Sequence, residues 1–514
     1  VSVATGRPDC DISLTEFLIG LLAVAIPPED TEAWRDGFST APTAEQLQAA
    51  FAPFKDALVL NGDGPRFFQD REQFEIGALS NEFKRTEQLF VDSPGQRTIS
   101  ENADHFVKRK TIEILSPAGA AIALLTIQTM SPSGGPGKLT SIRGGGPLTT
   151  LVVPGESRAL WHRLWANTPS DYSLDGASLS LIFPWLVPTR MGAKSGIKTL
   201  PEDVHRAQVF FGMPRRIRLI FSENTRNVRC DLLGTVSPMV VEAFADRPKG
   251  TDYGDWPKGH PMSPYRRKDA EHPYSPVHLQ SSRIGYREWL GIAVGDKDKT
   301  RIPAQCVFEF RRRLHHQEGD LAAIRDGARL LVAGYAMDNM KPLDFGEALM
   351  PLMVGSNNGV NAFVRHIAEQ LVEAAQETAG LLVTFIRIGL YGERAKVDSA
   401  STVLQPIRDR FWADTEQEFF GLLGDALRRA ETLASRGGDA PQDGTALSTV
   451  AIGGIWHAVL LRHSIRIFDD SVPLDEADSD RIVDIVKARK HLLIALAGYG
   501  AVGKRLFKAL GLPD

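Results

Sequence analysis

The stretch that decides the fold class spans residues 357–388 and reads NNGVNAFVRHIAEQLVEAAQETAGLLVTFIRI. Its apolar residues recur every three or four positions, as on one face of an α-helix. Three further segments with the same period follow, separated by glycine- and proline-containing breaks, at residues 402–435, 445–468 and 475–510. Four helices with short connections predict an antiparallel four-helix bundle over residues 355–514, with a domain boundary near residue 355.

The sequence before that boundary has a different texture. Residues 1–115 are mostly of helical period, at 14–25 and 44–58, whereas residues 116–354 are rich in proline, glycine and β-branched residues. Strand-like runs occur at residues 178–182, 216–221, 234–244 and 329–333. The predicted fold class is therefore α+β: a large, irregular, mixed N-terminal domain (residues 1–354) followed by the C-terminal four-helix bundle.

The composition excludes several classes of protein. The chain has 514 residues, 43% hydrophobic and 24% charged, with a net charge of −4, so it is neither collagen-like, mostly disordered nor basic overall. Cys10, Cys230 and Cys306 are far apart in sequence, which argues against a cysteine-rich zinc site and favours a reducing, cytoplasmic compartment. The longest apolar run, residues 17–26, is shorter than the roughly 20 residues that span a bilayer, so we expect no membrane segment.

Two glycine-rich motifs resemble nucleotide-binding loops. The first, GYGAVG, runs from Gly498 to Gly503, but no predicted strand precedes it and few residues follow. The second, from Gly134 to Lys138, lacks the spacing and the Ser/Thr of a P-loop. The sequence has no HExxH or GxSxG motif, so we predict a protein that is not an enzyme and needs no cofactor. A nucleotide-binding enzyme using either motif, and a pure protein scaffold, are the alternatives.

Local features point instead toward nucleic acid. Three glycines in residues 134–137, and RGGGP at residues 143–147, would expose backbone amides and allow another molecule to approach closely. Three basic clusters, at residues 205–229, 265–268 and 311–313, could contact phosphates, although a solvated basic surface is the simpler explanation for any one of them. The first and the last are arginine clusters and include Arg215, Arg216, Arg218, Arg311, Arg312 and Arg313.

Several of these motifs together resemble the CasA family, the large subunit of the type I-E CRISPR surveillance complex Cascade. The resemblance rests on AIAL (121–124), PSGGPG (132–137), SIRGGGPLTTLV (141–152), Trp256, HPMSPY (260–265) and GYAMDNMK (334–341), together with the C-terminal helices. These motifs occur in family order over nearly the whole chain, and the RGGGPxTT string is the most specific of them.

The resemblance implies a subunit that reads a short protospacer-adjacent motif (PAM) in double-stranded target DNA and initiates an R-loop. Such subunits lie beside the 5′ handle of the CRISPR RNA, contact the backbone, small and handle-binding subunits, and help to recruit a helicase-nuclease. They are not established as enzymes. Ser116 and Gly119 stand where some members carry paired cysteines, so no metal is expected.

The resemblance also assigns individual residues. The PAM-binding residues form a glycine loop, a lysine finger and a wedge at the tip of a hairpin. The loop has Ser133, Gly134, Gly135 and Gly137, the finger is Lys249 with Arg247 as the alternative, and the wedge has Asp338, Asn339 and Met340. The loop that docks near the CRISPR RNA handle, residues 99–110, carries Asn102, His105, Phe106, Lys108 and Arg109. Pro136 removes one amide from the glycine loop, and Asp338 would repel phosphate unless it accepts from a base amino group.

Overall fold

The structure is a computed structural model. It describes residues 3–72, 83–95, 99–102, 110–133, 137–155, 159–174, 176–192, 197–279, 283–296, 298–315, 317, 319–394, 397–398, 402–436, 449–474 and 479–513. The chain divides into two compact units. Unit 1 comprises Val1–Ser282, Lys297–Arg313 and Leu330–Leu349, and unit 2 comprises Arg283–Asp296, Leu314–Arg329 and Met350–Asp514.

Helices and strands alternate irregularly in the first two thirds of the chain, and helices follow. The α-helices are α1 (Pro8–Ala25), α2 (Thr31–Ser39), α3 (Ala44–Phe51), α4 (Pro117–Met130), α5 (Leu160–Ala166), α6 (Leu179–Ile182), α7 (Tyr286–Trp289), α8 (Gln305–Arg313), α9 (Asp320–Asp326), α10 (Asn358–Tyr391), α11 (Leu404–Asp414), α12 (Glu416–Ser435), α13 (Thr449–Ser471), α14 (Ser479–Leu496) and α15 (Gly500–Leu510). The strands are β1 (Phe83–Arg85), β2 (Thr149–Val153), β3 (Arg216–Glu223), β4 (Met239–Arg247), β5 (Tyr265–Arg266), β6 (Ser275–Pro276), β7 (Arg301–Ile302), β8 (Arg329–Asp338) and β9 (Lys341–Pro351).

Unit 1 is built around α1, α4 and small three-stranded sheets. α1 and α4 are apolar nearly all round, and they pack against each other in the interior. One sheet has the strand order β1-β4-β3, and a second has the order β2-β8-β9. These two sheets and the loop after α4 carry most of the residues that the sequence assigns to DNA binding.

Unit 2 contains the C-terminal helices. The long helix α10 packs against all five helices that follow it, α11 to α15. Asn357 caps its N-terminus by accepting from the Val360 amide at 2.9 Å, which satisfies one of the free N–H groups of the first turn. The apolar face of α10 includes Ile367, Leu371 and Leu382, all essentially inaccessible to solvent.

The mixed α+β class is confirmed, but two of the predicted helices are each divided. Residues 402–435 form α11 and α12 on either side of Thr415, and residues 475–510 contain α14 and α15. The Thr415 hydroxyl lies 2.8 Å from both the Phe411 carbonyl and the Tyr286 hydroxyl. Glu416 accepts from the Tyr286 amide at 3.1 Å. The interruption therefore lies where Tyr286 contacts both Thr415 and Glu416.

The strand expectations have a mixed outcome. Those at residues 216–221 and 329–333 are confirmed by β3 and β8, whereas residues 178–182 were wrongly predicted as a strand because Leu179–Ile182 is a single helical turn. A run of four or five apolar residues has too few positions to distinguish the two periods. The boundary near residue 355 lies close to Met350, where the last segment of unit 2 begins, and that unit also takes two earlier segments.

Candidate nucleic-acid interface

The hairpin that joins β8 to β9 turns sharply at two residues. Asn339 (φ 46°) and Met340 (φ 63°) both have left-handed backbone conformations, as the two central residues of a type I′ turn require. Asparagine tolerates this region, but methionine has a Cβ that clashes with the backbone there. The Asn339 side chain donates to Asp338 at 3.0 Å, and the Met340 side chain is 46% exposed. The predicted wedge therefore lies at the tip of a hairpin and is accessible.

The hairpin lies against the RGGGP segment because that segment has no side chains in the way. A Cβ on Gly145 would lie 2.7 Å from the Pro132 Cα and 3.2 Å from the Met340 sulfur. A Cβ on Gly146, where φ is 59°, would lie 2.7 Å from the Tyr335 Cβ of β8. Real Cβ atoms do not come within 2.7 Å of such rigid neighbours, so glycine is needed at both positions for Pro132 and β8 to approach this closely.

A buried ion pair holds the same segment in place. The Arg143 guanidinium lies 2.6 Å from Glu16 on α1 and also donates to Thr149 and Ser263, at 3.2 and 3.1 Å. Thr149 in turn donates to Glu16 at 2.6 Å, so the charges are paired and hydrogen-bonded as burial requires. Arg143 and Thr149 of the RGGGPxTT string therefore attach this segment to α1, and the glycines of the string leave room for the hairpin.

The glycine loop begins after α4 and closes on itself. The Ser141 amide donates to the Ser131 carbonyl at 3.3 Å, and Arg215 donates to both the Ser131 hydroxyl and the Pro132 carbonyl. Burial lowers the pKa of Arg215 to about 10. Arg215 is therefore a brace for the base of the loop rather than an exposed phosphate contact.

The far end of the glycine loop meets the predicted lysine finger. The Lys249 amide donates to the Gly137 carbonyl at 2.8 Å. Both residues have positive φ, 66° and 75°, and a Cβ on Gly137 would lie 2.8 Å from the Pro248 Cβ. The Lys249 side chain is exposed, and Arg247, the alternative finger, is half-buried at the end of β4. This geometry presents Lys249 beside the loop.

Three segments that are distant in sequence thus converge. Pro132 at one end of the glycine loop lies beside Gly145, as does Met340 of the hairpin tip, and Gly137 at the other end bonds Lys249. Ser133 is described, with its hydroxyl 3.4 Å from the Lys138 carbonyl. Gly134 and Gly135 lie outside the described residues, as do His105, Phe106, Lys108 and Arg109 of the predicted handle-docking loop. Asn102 of that loop is exposed and has a positive φ.

The structure corrects the interpretation of the arginine clusters. Arg216, only 5% exposed, pairs with Asp70 and Glu72, and Arg218 donates to the Asp70 carbonyl at 2.8 Å. In the second cluster Arg311 and Arg313 are buried, and Arg313 pairs with Glu309 at 2.6 Å. Buried and paired guanidinium groups cannot reach phosphates in this conformation, so of these six arginines only Arg312 is fully at the surface.

The glycine motif near the C-terminus serves helix packing. It follows helix α14 instead of a strand, and a Cβ on Gly503 would lie 2.5 Å from the Ala495 carbonyl oxygen. Gly498 has φ 90° and lies against the Phe507 ring. The motif therefore forms a tight turn between α14 and α15, and a dinucleotide fingerprint would require a preceding strand.

In the part of the chain that the structure describes, no group of three or more His, Cys, Asp or Glu side chains is arranged to hold a metal ion. Nor does any described helix combine the length and apolar character that crossing a bilayer needs.

Three contributions to the site have no clear signal in the sequence. Arg215 belongs to a basic run, which suggested a surface role, and the Glu16–Arg143 pair joins residues far apart in the chain. Asp246 contacts both Lys84 and Lys138, at 2.5 and 2.9 Å, and so ties the end of the glycine loop to β1 and β4. Each depends on a tertiary contact, so only the three-dimensional arrangement shows it.

The fold is that of solved Cse1 (CasA) structures. The Thermus thermophilus CasA (Cse1) structure has a TM-score of 0.65 at 16% identity, covering 96% of this chain and 91% of that one. Thermobifida fusca Cse1 has a TM-score of 0.63 at 15% identity, with 99% and 91% covered. A chain of a CRISPR RNA-guided surveillance complex has a TM-score of 0.62 at 15% identity, with 95% and 91% covered.

Sequence comparison identifies the family. The family model for CRISPR-associated protein Cse1 matches residues 1–443, so the chain belongs to the Cse1 family. A search of curated proteins gives no match. The resemblance to the CasA family is therefore confirmed, whereas the individual roles of the residues stay predictions.

Proposed function

We propose that this protein is the PAM-reading large subunit of an RNA-guided DNA surveillance complex that acts in antiviral defence. The observation that carries the proposal is the convergence of the glycine loop, Lys249 and the Asn339–Met340 turn in one unit. Family membership and the similarity to a chain of a surveillance complex support it.

The chemistry of this arrangement suits loose reading of a short motif. The minor groove distinguishes mainly A·T from G·C pairs, so backbone amides and one exposed cation can read it only coarsely. A flexible apolar side chain such as Met340 can insert beside a base pair and unstack it, at a cost of a few kcal/mol. Exchange of duplex DNA for an RNA–DNA hybrid is nearly balanced, so local opening next to the motif is enough to start it.

The proposal extends to partners and location. We infer that the subunit binds CRISPR RNA, double-stranded target DNA and the backbone, small and handle-binding subunits, that it helps to recruit a helicase-nuclease, and that it works in the cytoplasm without catalysing a reaction itself. All three cysteines are buried and free, which suits a reducing compartment. Either alternative, a nucleotide-using enzyme or a scaffold without DNA contacts, predicts that motif identity has no effect on DNA binding.

The test compares binding of the assembled complex to duplexes with a permissive and a scrambled motif. Lys249→Ala should weaken binding to the permissive duplex by about 1–3 kcal/mol, because it removes one groove contact. Binding to the scrambled duplex should change much less, so the ratio of the two affinities falls.

Lys299→Ala is the matched control. Lys299 is also exposed and also has a positive φ, 53°, so the same substitution has the same backbone consequences away from the site. Equal loss of affinity for both duplexes with Lys249→Ala would indicate a phosphate contact, and an unchanged ratio would overturn the assignment of Lys249.

A further inference from the structure

A cleft of about 680 Å³ opens in unit 1 between the sheet β1-β4-β3 and the base of the glycine loop. Its basic lining includes Lys84 and Arg85 of β1, Lys138 of the loop, and Arg215. Phe83, which is 39% exposed, lines the same cleft. Cations beside an accessible aromatic ring are the combination that binds nucleic-acid strands, where phosphates meet the cations and a base stacks on the ring.

One carboxylate lies at the centre of these cations. Among the described residues that line the cleft, Asp246 is the only acid. Its Oδ2 atom is 2.5 Å from the Lys84 Nζ and 2.9 Å from the Lys138 Nζ, so two ammonium groups share one oxygen. Burial by itself would raise the pKa of Asp246, but hydrogen bonds from the two lysines outweigh it and hold the pKa below its usual value.

The charge in this cluster is not balanced. Lys84, Lys138 and Arg215 are opposed by Asp246, which is also the acid that acts on the buried Arg215 guanidinium. Burial is the main reason that the pKa of Lys84 is lowered, so a second anion near this lysine would be favourable. Arg85, by contrast, already pairs with Glu87 and Glu113.

We propose that this cleft binds a phosphodiester of a nucleic-acid strand between Lys84 and Lys138, and that Asp246 occupies the position of the phosphate until the strand arrives. The inference rests on the proposed function, since it requires a protein that handles nucleic acid. It adds a contact that is independent of sequence, next to the motif-reading loop. The strand can be target DNA or guide RNA, which share this chemistry.

The test measures binding of the full chain to two labelled probes, a random-sequence DNA duplex and a random single-stranded RNA, between about 50 and 200 mM salt. Lys84→Gln should make the slope of log affinity against log salt shallower by about 0.9 for DNA or about 0.7 for single-stranded RNA, the value of one phosphate contact. Lys84→Arg should retain the slope. Asp246→Asn should bind several-fold more tightly, because both lysines become available.

Lys55→Gln is the control, since Lys55 is exposed and does not line the cleft. A shallower slope on DNA alone assigns the strand to target DNA, one on RNA alone assigns it to RNA, and one on both indicates a site for either. An unchanged slope for Lys84→Gln on both probes overturns the proposal. Because neither probe is selected for a motif and the readout is the salt dependence, that result would leave the Lys249 test of motif reading unaffected. If Asp246→Asn fails to fold, the three lysine variants still decide.

Discussion

Replacing Met340 by glycine should slow the opening of target DNA while leaving the stability of the protein nearly unchanged. Met340 has a left-handed φ of 63°, which costs a residue with a Cβ about 1–2 kcal/mol and costs glycine almost nothing. Against this gain, glycine loses about 0.5–1 kcal/mol through its more flexible unfolded chain. Removing a methionine side chain that is 46% exposed forfeits roughly 1 kcal/mol of burial. The contributions nearly cancel, so we expect a change within about 1 kcal/mol.

Met340→Ala is the partner variant that separates the two effects. It loses the same side chain but keeps the backbone strain, so it should be less stable than Met340→Gly by about 1 kcal/mol. If Met340 acts as a wedge, both variants should open DNA equally slowly. A wedge that contributes about 1.4–2.8 kcal/mol to the barrier corresponds to a rate that is about tenfold to a hundredfold slower.

The assay is stopped-flow fluorescence of a base analogue next to the motif, with assembled complexes and urea unfolding of each variant in parallel. A duplex with mismatched, already open base pairs beside the motif should restore the rate for both variants, because no unstacking remains to be done. If Met340→Ala opened DNA at a different rate from Met340→Gly, in line with their difference in stability, the wedge would be refuted. A failure of the open duplex to restore the rate would also refute it.

Two further predictions concern buried groups. Arg216→Met should destabilise the protein by about 3–5 kcal/mol, because it leaves Asp70 buried without its cation. The protein that still folds should keep the salt dependence of DNA binding. Urea unfolding and a salt titration check the two expectations, and a shallower salt dependence would indicate that Arg216 contacts phosphate after all. His260 is buried, which holds its pKa well below the usual value, so protonation opposes folding. Stability should fall as pH drops below about 6.5, the unfolded pKa, by at most about 1.4 kcal/mol per pH unit from this group. Unfolding at pH 7.5 and 5.5 should show a smaller difference in His260→Asn than in the wild type; equal differences would contradict the assignment.

Helical periodicity identified the C-terminal helices, but not their interruptions. No proline or glycine lies next to Thr415, and Tyr286, which contacts the break, is far away in the chain. A local pattern cannot reveal a contact of that kind. The predicted strand at residues 178–182 failed for a related reason, because a short apolar run is compatible with either period.

The parts of the site that depend on backbone geometry could be predicted from the sequence. Glycines at 137, 145 and 146 are needed for close approach, and that need is visible as a glycine-rich string. The arginine clusters were misread because charge in a sequence carries no information on burial. Arg216 is opposed by Asp70, whose position 146 residues earlier gives no local sign of the pairing. The lysine pair on Asp246 was missed for the same reason.

Under the proposed function, the contact between the hairpin tip and Gly145 also determines how motif specificity can be exchanged between relatives. The Met340 side chain lies against Gly145, which in turn lies against Pro132, and both of these residues belong to another part of the chain. Grafting the two tip residues alone into a relative with a side chain at the position of Gly145 would misplace them. A working transplant must carry residues 131–147 together with the hairpin, so these segments have to be engineered as one unit even though almost 200 residues separate them in the sequence.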